Sequence, residues 1–367
     1  MNTQIKNNKD LNKLINNKFI KNILILSGKN SYYKTDAHDF FKEILKKKNI
    51  FLYLKKSYLP ELSELEKIIK TKEKFKPDLI LAIGGGCVMD LAKISSLFKL
   101  SKDLKKKIVN SDFNTKKTKV LAIPTTAGSG AEVTSNAVIY INNIKYSVEG
   151  SQIKPDFFYL VPKLLMSSNS LLDATAGFDA ISQSIESMFS QKSNKESLSF
   201  SKRSLKILLE QSTNFVNRKN ITNAHHMSIG ANLAGKAIAI SKTIAPHALS
   251  YSFTTLYGIP HGHAVSLSFN QILKFNYYNQ SKATCDFNLS KRYETLFKIT
   301  KTKNIIELDI FLTNLKKELH LEQNFKKLGI NFKNDYQKII SGINNQRLKN
   351  NPVTLIKDDF SLIFKKF

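Results

Sequence analysis

The chain has 367 residues, enough for about two domains at ~100–200 residues each, and 42% of them are hydrophobic, well above a disordered composition. Its formal charge is +28, but the lysines are dispersed among asparagines and isoleucines. They accompany no helix-turn-helix, aromatic RNA-binding signature or Cys/His finger, which argues against nucleic acid and leaves a basic background favourable to acidic small molecules and cofactor phosphates.

Cys87 and Cys285 lie far apart and offer neither a zinc spacing nor a disulfide framework, so a reducing compartment is expected. The polar, basic N-terminus lacks the apolar run of a secretion signal. No apolar stretch reaches about 18 residues. A cytoplasmic protein with no membrane span is the expectation.

In chain order, NILILS (22–27) reads as a short buried strand, DAHDFFKEILKKKN (36–49) as a helix, and IFLYL (50–54) as a second strand. Residues 61–75 are amphipathic and helical. DLILAI (78–83) is a third strand, followed by glycines and a helix, and VLAIP (120–124) a fourth. This alternation predicts a mostly parallel sheet with helices on both faces. The rhythm stops near residue 165. Residues 176–190, 196–218, 222–241 and several segments after 290 carry helical periodicity. A boundary near Pro162 and SSNS (167–170) therefore divides an α/β domain, 1–165, from an all-helical domain, 166–367, with a ligand cleft expected between them.

Four motifs carry chemistry. AIGGGCVMDLAK (82–93) runs strand, Gly84-Gly85-Gly86, helix. Consecutive glycines let backbone amides approach an anion, and the helix start adds a positive end. The same turn also serves plain chain reversal, and the motif alone does not decide between the two. AIPTTAGSGAEVT (122–134) offers the hydroxyls of Thr125, Thr126 and Ser129 on a loop after a strand, or merely a polar helix cap.

AGFDAISQSIES (176–187) places Asp179 and Gln183 four residues apart on one helical face, with Glu186 three further on, among small apolar neighbours. A carboxylate buried there needs a cation or donors. APHALSYSFTTLYGIPHGHAV (245–265) holds three of the seven histidines. A helix carrying His247 and a following loop carrying His261 can bring both rings to Asp179, a donor set for a divalent transition metal.

These four motifs, in this order and spacing, resemble the iron-containing (group III) alcohol dehydrogenase family, from about residue 20 to 270 and more weakly to the end, including NNPVTLIKDDFSLIFKK (350–366). The resemblance implies a dinucleotide-binding N-terminal domain and a helical C-terminal domain. It implies that Gly84, Gly85 and Gly86 hold the cofactor pyrophosphate, with Cys87 in place of the usual serine. Asp90 and Lys93 match the helix that follows, Thr125 and Thr126 match cofactor-contacting threonines, and Lys145 matches a lysine near the nicotinamide ribose. Asp179, His247 and His261 match three of four metal ligands. At the fourth ligand position, where the family usually has histidine, stands Gln183, a neutral residue that can bind the metal through its amide oxygen but less strongly than imidazole, and Tyr251 stands where many relatives carry a histidine near the substrate.

The segments 234–264, 179–187 and LSGKNSY (26–32) resemble the phosphonoacetaldehyde reductase branch, which reduces phosphonoacetaldehyde to 2-hydroxyethylphosphonate. A generic short-chain aldehyde reductase or alcohol dehydrogenase is the alternative, and a dehydroquinate synthase-like lyase a more distant one. Gly28 stands where many NAD-preferring relatives carry an aspartate that would bind ribose hydroxyls, and Lys29 can attract a 2′-phosphate, so the resemblance implies that NADPH is accepted beside NADH. The resemblance further implies a divalent metal, Fe²⁺ or Zn²⁺, a small and anionic aldehyde as substrate, and a homo-oligomer such as a dimer. Water, His263 or Tyr251 is expected to deliver the proton. Lys236 and Lys242 are the cations nearest in sequence for an anionic substrate, though each alone reads as a solvated helix lysine.

Overall fold

A computed structural model describes residues 2–113, 117–142, 144–343 and 345–364. The chain divides into two compact units, residues 1–168 and 169–367.

The described strands of the first unit are β1 (Thr3–Ile5), β2 (Asn22–Gly28), β3 (Asn49–Lys55), β4 (Leu79–Gly84), β5 (Lys119–Pro124), β6 (Asn136–Ile141), β7 (Ile144–Glu149) and β8 (Phe157–Tyr159). Six form one parallel sheet in the order β1-β8-β5-β4-β2-β3. Its helices are α1 (Asn8–Ile15), α2 (Lys29–Tyr33), α3 (Ala37–Leu45), α4 (Leu62–Phe75), α5 (Gly86–Leu97) and α6 (Leu104–Val109).

Every residue of β4 is buried, as a central parallel strand covered on both faces requires. Alternation along the strands separates two cores. Leu24, Leu26, Ile80 and Ala82 pack with α4 and α5, whereas Ile23, Ile25, Leu79 and Leu81 pack with α1 and α3. The α/β alternation read from the sequence is this sheet.

Sequence reading passes over three features. β1 and β8 are three-residue strands, too short for a periodic signal. β6 and β7 form an antiparallel hairpin in which Ile141 pairs with Ile144, and Asn142 takes a left-handed conformation, φ 51°. The Asn-Asn step between apolar runs was the available hairpin signal.

Two buried lysines fix α5. Lys72 donates from Nζ to the carbonyls of Ser95 and Phe98, both at 2.6 Å, placing a cation on the negative end of the helix. Lys93, with no exposed surface, donates to Ala131 O (2.9 Å), Thr134 Oγ1 (2.9 Å) and Asn136 O (2.6 Å), tying α5 to the segment that leads into β6.

The second unit is mostly helical: α7 (Ser170–Phe189), α8 (Lys195–Asn217), α9 (Ile221–Ser241), α10 (Ala245–Tyr257), α11 (His261–Tyr278), α12 (Leu289–Thr300), α13 (Ile305–Glu318), α14 (Phe332–Ser341), α15 (Asn345–Leu348) and α16 (Lys357–Phe364). One antiparallel bridge, Ala283 to Val353, is the described β pairing here. Residues 365 and 366 of the C-terminal segment compared above lie outside the described residues.

α7 begins six residues before its periodic segment. Asn169 caps it, its side chain accepting from Leu172 N–H at 2.8 Å, and Asp173 sits in the first turn. Serines and a glycine let α7, α8 and α9 approach closely. Ser204 Oγ meets Ser184 Oγ at 2.8 Å and donates to Gly230 O at 2.7 Å, while a Cβ on Gly230 would press on Leu208.

Replacing Lys93 with methionine removes three hydrogen bonds and takes from Asp90, 4.0 Å away, the larger of the two cations that act on it. Lys93→Met is expected to lower stability by about 3 kcal/mol. Urea unfolding of the full chain measures this, and an unchanged midpoint would remove Lys93 as a structural clamp.

Candidate active site

In the first unit, glycines stand at or after the carboxyl ends of β2, β4 and β5. The chain moves outward from β2 to β3, then returns past β2 to β4, so the loops after β2 and β4 flank the point where the winding reverses. Ligands of open α/β sheets bind at such a point. Gly85 caps α5 with ordinary extended backbone (φ −80°), so Gly84, Gly85 and Gly86 are needed for proximity and not for a left-handed turn, which in the loop after β5 falls to Gly130 (φ 58°).

A Cβ on Gly84 would stand 2.6 Å from Val88 Cγ2, one on Gly86 2.9 Å from Ser129 Oγ, and one on Gly85 3.3 Å from Thr126 Oγ1. The threonine loop thus lies directly on the glycine turn. Thr125 N–H donates to Gly84 O (3.1 Å), and Thr125 Oγ1 reaches Ser31 Oγ (3.4 Å) beyond Gly28. The start of α5 carries no acidic residue. Backbone amides and hydroxyls arranged this way have the chemistry to receive an anion.

Cys87 sits on the first turn of α5. Burial pushes its thiol up to about 12 against the pull of Lys55, so it stays a neutral S–H. Asp90 points under the hairpin. Burial raises it to about 6, opposed by Lys93, Val138 N–H and Lys145, which brings three of the residues singled out in sequence together. Lys29 is exposed on the first residue of α2.

In the second unit α7, α10 and α11 bring Asp179, His247 and His261 together, one donor atom of each within 4.8 Å of the others. His261 is the first residue of α11 and not part of a loop, a correction to the sequence reading: Pro260 caps that helix and Gly258, at φ 67°, ends α10. Gly262 makes the approach possible, since a Cβ there would overlap the Thr175 carbonyl oxygen and lie 2.9 Å from Asp179 Cβ.

His247 Nδ1 meets Glu186 Oε1 at 2.6 Å, and Glu186 Oε2 accepts from Ile244 N–H at 2.7 Å. The carboxylate fixes the Nδ1–H tautomer and turns the Nε2 lone pair toward Asp179. Nε2 lies 3.3 Å from Asp179 Oδ1, yet neither atom has a hydrogen-bond partner. Ser250 donates its hydroxyl proton to His247 O (2.8 Å), so it accepts from His261 Nδ1 (3.3 Å), leaving the second lone pair on Nε2.

Electrostatics agree. Burial opposes charge on His247, but Glu186 and Asp179 raise it to about 10. Burial also works against the Asp179 carboxylate, and His247, His261 and Gln183 outweigh it and hold that group below its ordinary value. Burial wins at Glu186 and pushes its carboxyl up. Two buried carboxylates around an imidazole retain a positive charge, either a proton or a metal cation in its place. Oxygen and imidazole donors suit Fe²⁺ or Zn²⁺.

Gln183 donates from Nε2 to Asp179 Oδ2 (3.1 Å), and its Oε1 is buried without a partner. Tyr251 stacks on His261, with centroids 6.1 Å apart and planes at 27°. His263 has a different employment from proton delivery: its Nε2 is held 2.7 Å from the Glu322 carbonyl, which can only accept, and the ring is outside the Asp179–His247–His261 group. Lys236 rests over the Phe200 ring, and Lys242 caps α9 at φ 63°.

The residues missed as functional are Glu186, Ser250 and Gly262. Glu186, seven residues from Asp179 on the same face, was the legible one. Glu186→Gln is expected to weaken Zn²⁺ or Fe²⁺ binding by about 10–100-fold, and Gln183→His to strengthen it by supplying imidazole. Chelator competition measures both, and unchanged affinity in Glu186→Gln would dismiss its orienting role.

The model of the iron-containing alcohol dehydrogenase family matches residues 5–162, and that of the family's C-terminal domain residues 173–367. An aldehyde-alcohol dehydrogenase of Streptococcus pneumoniae is 26% identical over 231 residues, 59% of this chain and 26% of its own length. A phosphonoacetaldehyde reductase of Streptomyces viridochromogenes is 30% identical over 219 residues, 55% of this chain and 54% of the relative. The chain thus spans about a quarter of the first relative and about half of the second. The fold matches the crystal structure of sulfoacetaldehyde reductase from Bifidobacterium kashiwanohense in complex with NAD⁺, with a TM-score of 0.88, 20% identity and coverage of 100% of this chain and 96% of the other. With both of its units matched, this chain belongs to the iron-containing alcohol dehydrogenase family.

Proposed function

We propose that the chain is an NAD(P)H-dependent reductase of small anionic aldehydes, and that its substrate is phosphonoacetaldehyde, reduced to 2-hydroxyethylphosphonate. The observation that carries the reading is the cluster of buried Asp179 and His247 with His261, in which His247 Nε2 lies 3.3 Å from Asp179 Oδ1 and its Nδ1 is held by Glu186. Two relatives named for two-carbon anionic aldehydes, one phosphonate and one sulfonate, support the substrate class.

Asp179, His247 and His261 would hold the divalent cation, and the turn of Gly84–Gly86 with Thr125, Thr126 and Ser129 would hold the cofactor phosphates. When bound, the nicotinamide supplies a hydride and the cation polarises the carbonyl. Glu186 keeps His247 in the Nδ1–H tautomer, and Ser250 does the same for His261. Gln183 steadies Asp179 through Oδ2. The proton that completes the alcohol comes from water, with the Tyr251 hydroxyl as side-chain relay beside His261. His263 is assigned to anchoring α11 on Glu322.

Purified chain is assayed for NAD(P)H oxidation with phosphonoacetaldehyde, acetaldehyde, propanal and lactaldehyde, each with Fe²⁺, Zn²⁺ or chelator. The expected result is a kcat/KM for phosphonoacetaldehyde at least about tenfold above the neutral aldehydes, lost in chelator. Equal turnover of neutral aldehydes discards the phosphonate substrate, and no turnover of any aldehyde discards the reductase.

Gly28 ends β2 with no carboxylate to repel a 2′-phosphate, and the exposed Lys29 follows. NADPH is therefore expected to serve at least as well as NADH, and Gly28→Asp to cut NADPH use by about tenfold or more. A tenfold preference of the unaltered chain for NADH contradicts this.

A further inference from the structure

The second unit holds a cavity of about 160 Å³ that the proposed reaction does not use. Asn270 and Gln271 of α11 line it, with Asp309, Thr313 and Lys316 of α13, and Gln323 beyond. Asp309, Thr313 and Lys316 are spaced to share one helical face.

Its wall is electrically incomplete. Lys316 is 5% exposed, and its one hydrogen bond among the described residues is a long one, 3.3 Å to Ser266 O. Burial pulls this ammonium down to about 8, with Asp309 opposing, so most of it is charged at neutral pH. Asp309 does not neutralise it fully, because Lys274 already holds the Asp309 carboxylate at 2.7 Å. Asn270 Oδ1 is buried with no partner. Its amide nitrogen is committed to Asp309 O (3.2 Å), Asp309 Oδ1 (2.8 Å) and Thr313 Oγ1 (3.2 Å), which fixes which end of the amide is oxygen.

A ligand that completes this wall must bring negative charge to Lys316 and a proton to Asn270 Oδ1. The volume is about five times the ~30 Å³ share of a liquid water, room for a tetrahedral oxyanion. We propose that this cavity is a binding site for a tetrahedral oxyanion that keeps a proton at neutral pH, a phosphate or an alkylphosphonate. Sulfate has the shape and charge but no proton to donate, and the site discriminates against it.

The test is thermal unfolding of the full chain at fixed ionic strength, with chloride replaced stepwise by inorganic phosphate, methylphosphonate or sulfate. The expected result is a saturable rise in Tm with a proton-bearing anion, and half-saturation about tenfold weaker for sulfate. A response to only one of phosphate and methylphosphonate assigns the source. Lys316→Met, which keeps length and removes charge, is expected to abolish the saturable part. Thr313→Val, on the same wall with no change of charge, is expected to weaken it and serves if Lys316→Met does not fold. An equal rise in both variants places the anion elsewhere on the basic surface, and that result, sulfate as effective as phosphate, or no rise, overturns the proposal.

Discussion

His247 stands between two buried carboxylates, with Nδ1 on Glu186 at 2.6 Å and Nε2 3.3 Å from Asp179. Desolvating two acids on one helix is costly, and removing one member of such a buried group leaves the others uncompensated. α7 therefore cannot move away from α10 without stranding charge. The rest of the helical unit follows from this requirement. Ile244 N–H at the start of α10 satisfies the outer oxygen of Glu186. Gly262 lets α11 touch the backbone of α7 at Thr175. Ser184 and Ser204 link α7 to α8 with small, fully buried hydroxyls. A larger residue at Gly262 would separate α11 from α7, and one at Ser184 or Ser204 would separate α8 from α7.

The α/β unit solves the opposite problem. On the proposed reading, an anion there would be met by backbone at Gly84–Gly86 and by the hydroxyls of Thr126 and Ser129, with no acid on the first turn of α5. Dipolar recognition of this kind works only if the helix is held rigidly. Lys72 and Lys93 supply that rigidity from inside, each spending its ammonium on backbone carbonyls. With Lys316, they are buried members of a strongly basic chain. Glu64, Glu132, Asp173, Asp179 and Glu186 are buried as well, so among the described residues burial does not reduce the basic character of the surface.

Much of this was legible in sequence where a residue type acts through its own chemistry at a periodic position. ILIL and DLILAI read as buried strands because β2 and β4 lie inside a covered sheet. Asp179, His247 and His261 read as a cation set because few other arrangements tolerate a carboxylate among small apolar neighbours. What escaped depends on contacts between distant segments. Glu186 was visible as an acid on the right face, but its task comes from His247, 61 residues on. His263 resembled a proton donor beside His261, until the Glu322 carbonyl claimed its nitrogen. SSNS, read as a boundary between domains, also holds Asn169, the cap of a 20-residue helix, which the sequence reading did not assign.

Gln183 shows how a departure from the family pattern is absorbed. An imidazole at that position would present a lone pair beside Asp179. The amide presents N–H groups, and one of them reaches Asp179 Oδ2 at 3.1 Å. That hydrogen bond engages one carboxylate oxygen and leaves Oδ1 facing His247 Nε2, where both stand unpartnered. On the proposed reading, the substitution exchanges an imidazole donor for an amide that orients Asp179 through Oδ2, at a cost in affinity for the cation. A site with three such donors keeps more coordination positions open than one with four. For a small aldehyde carrying its own anionic group, an additional open position is room for the substrate, which makes the loss of a ligand compatible with the chemistry proposed for this branch.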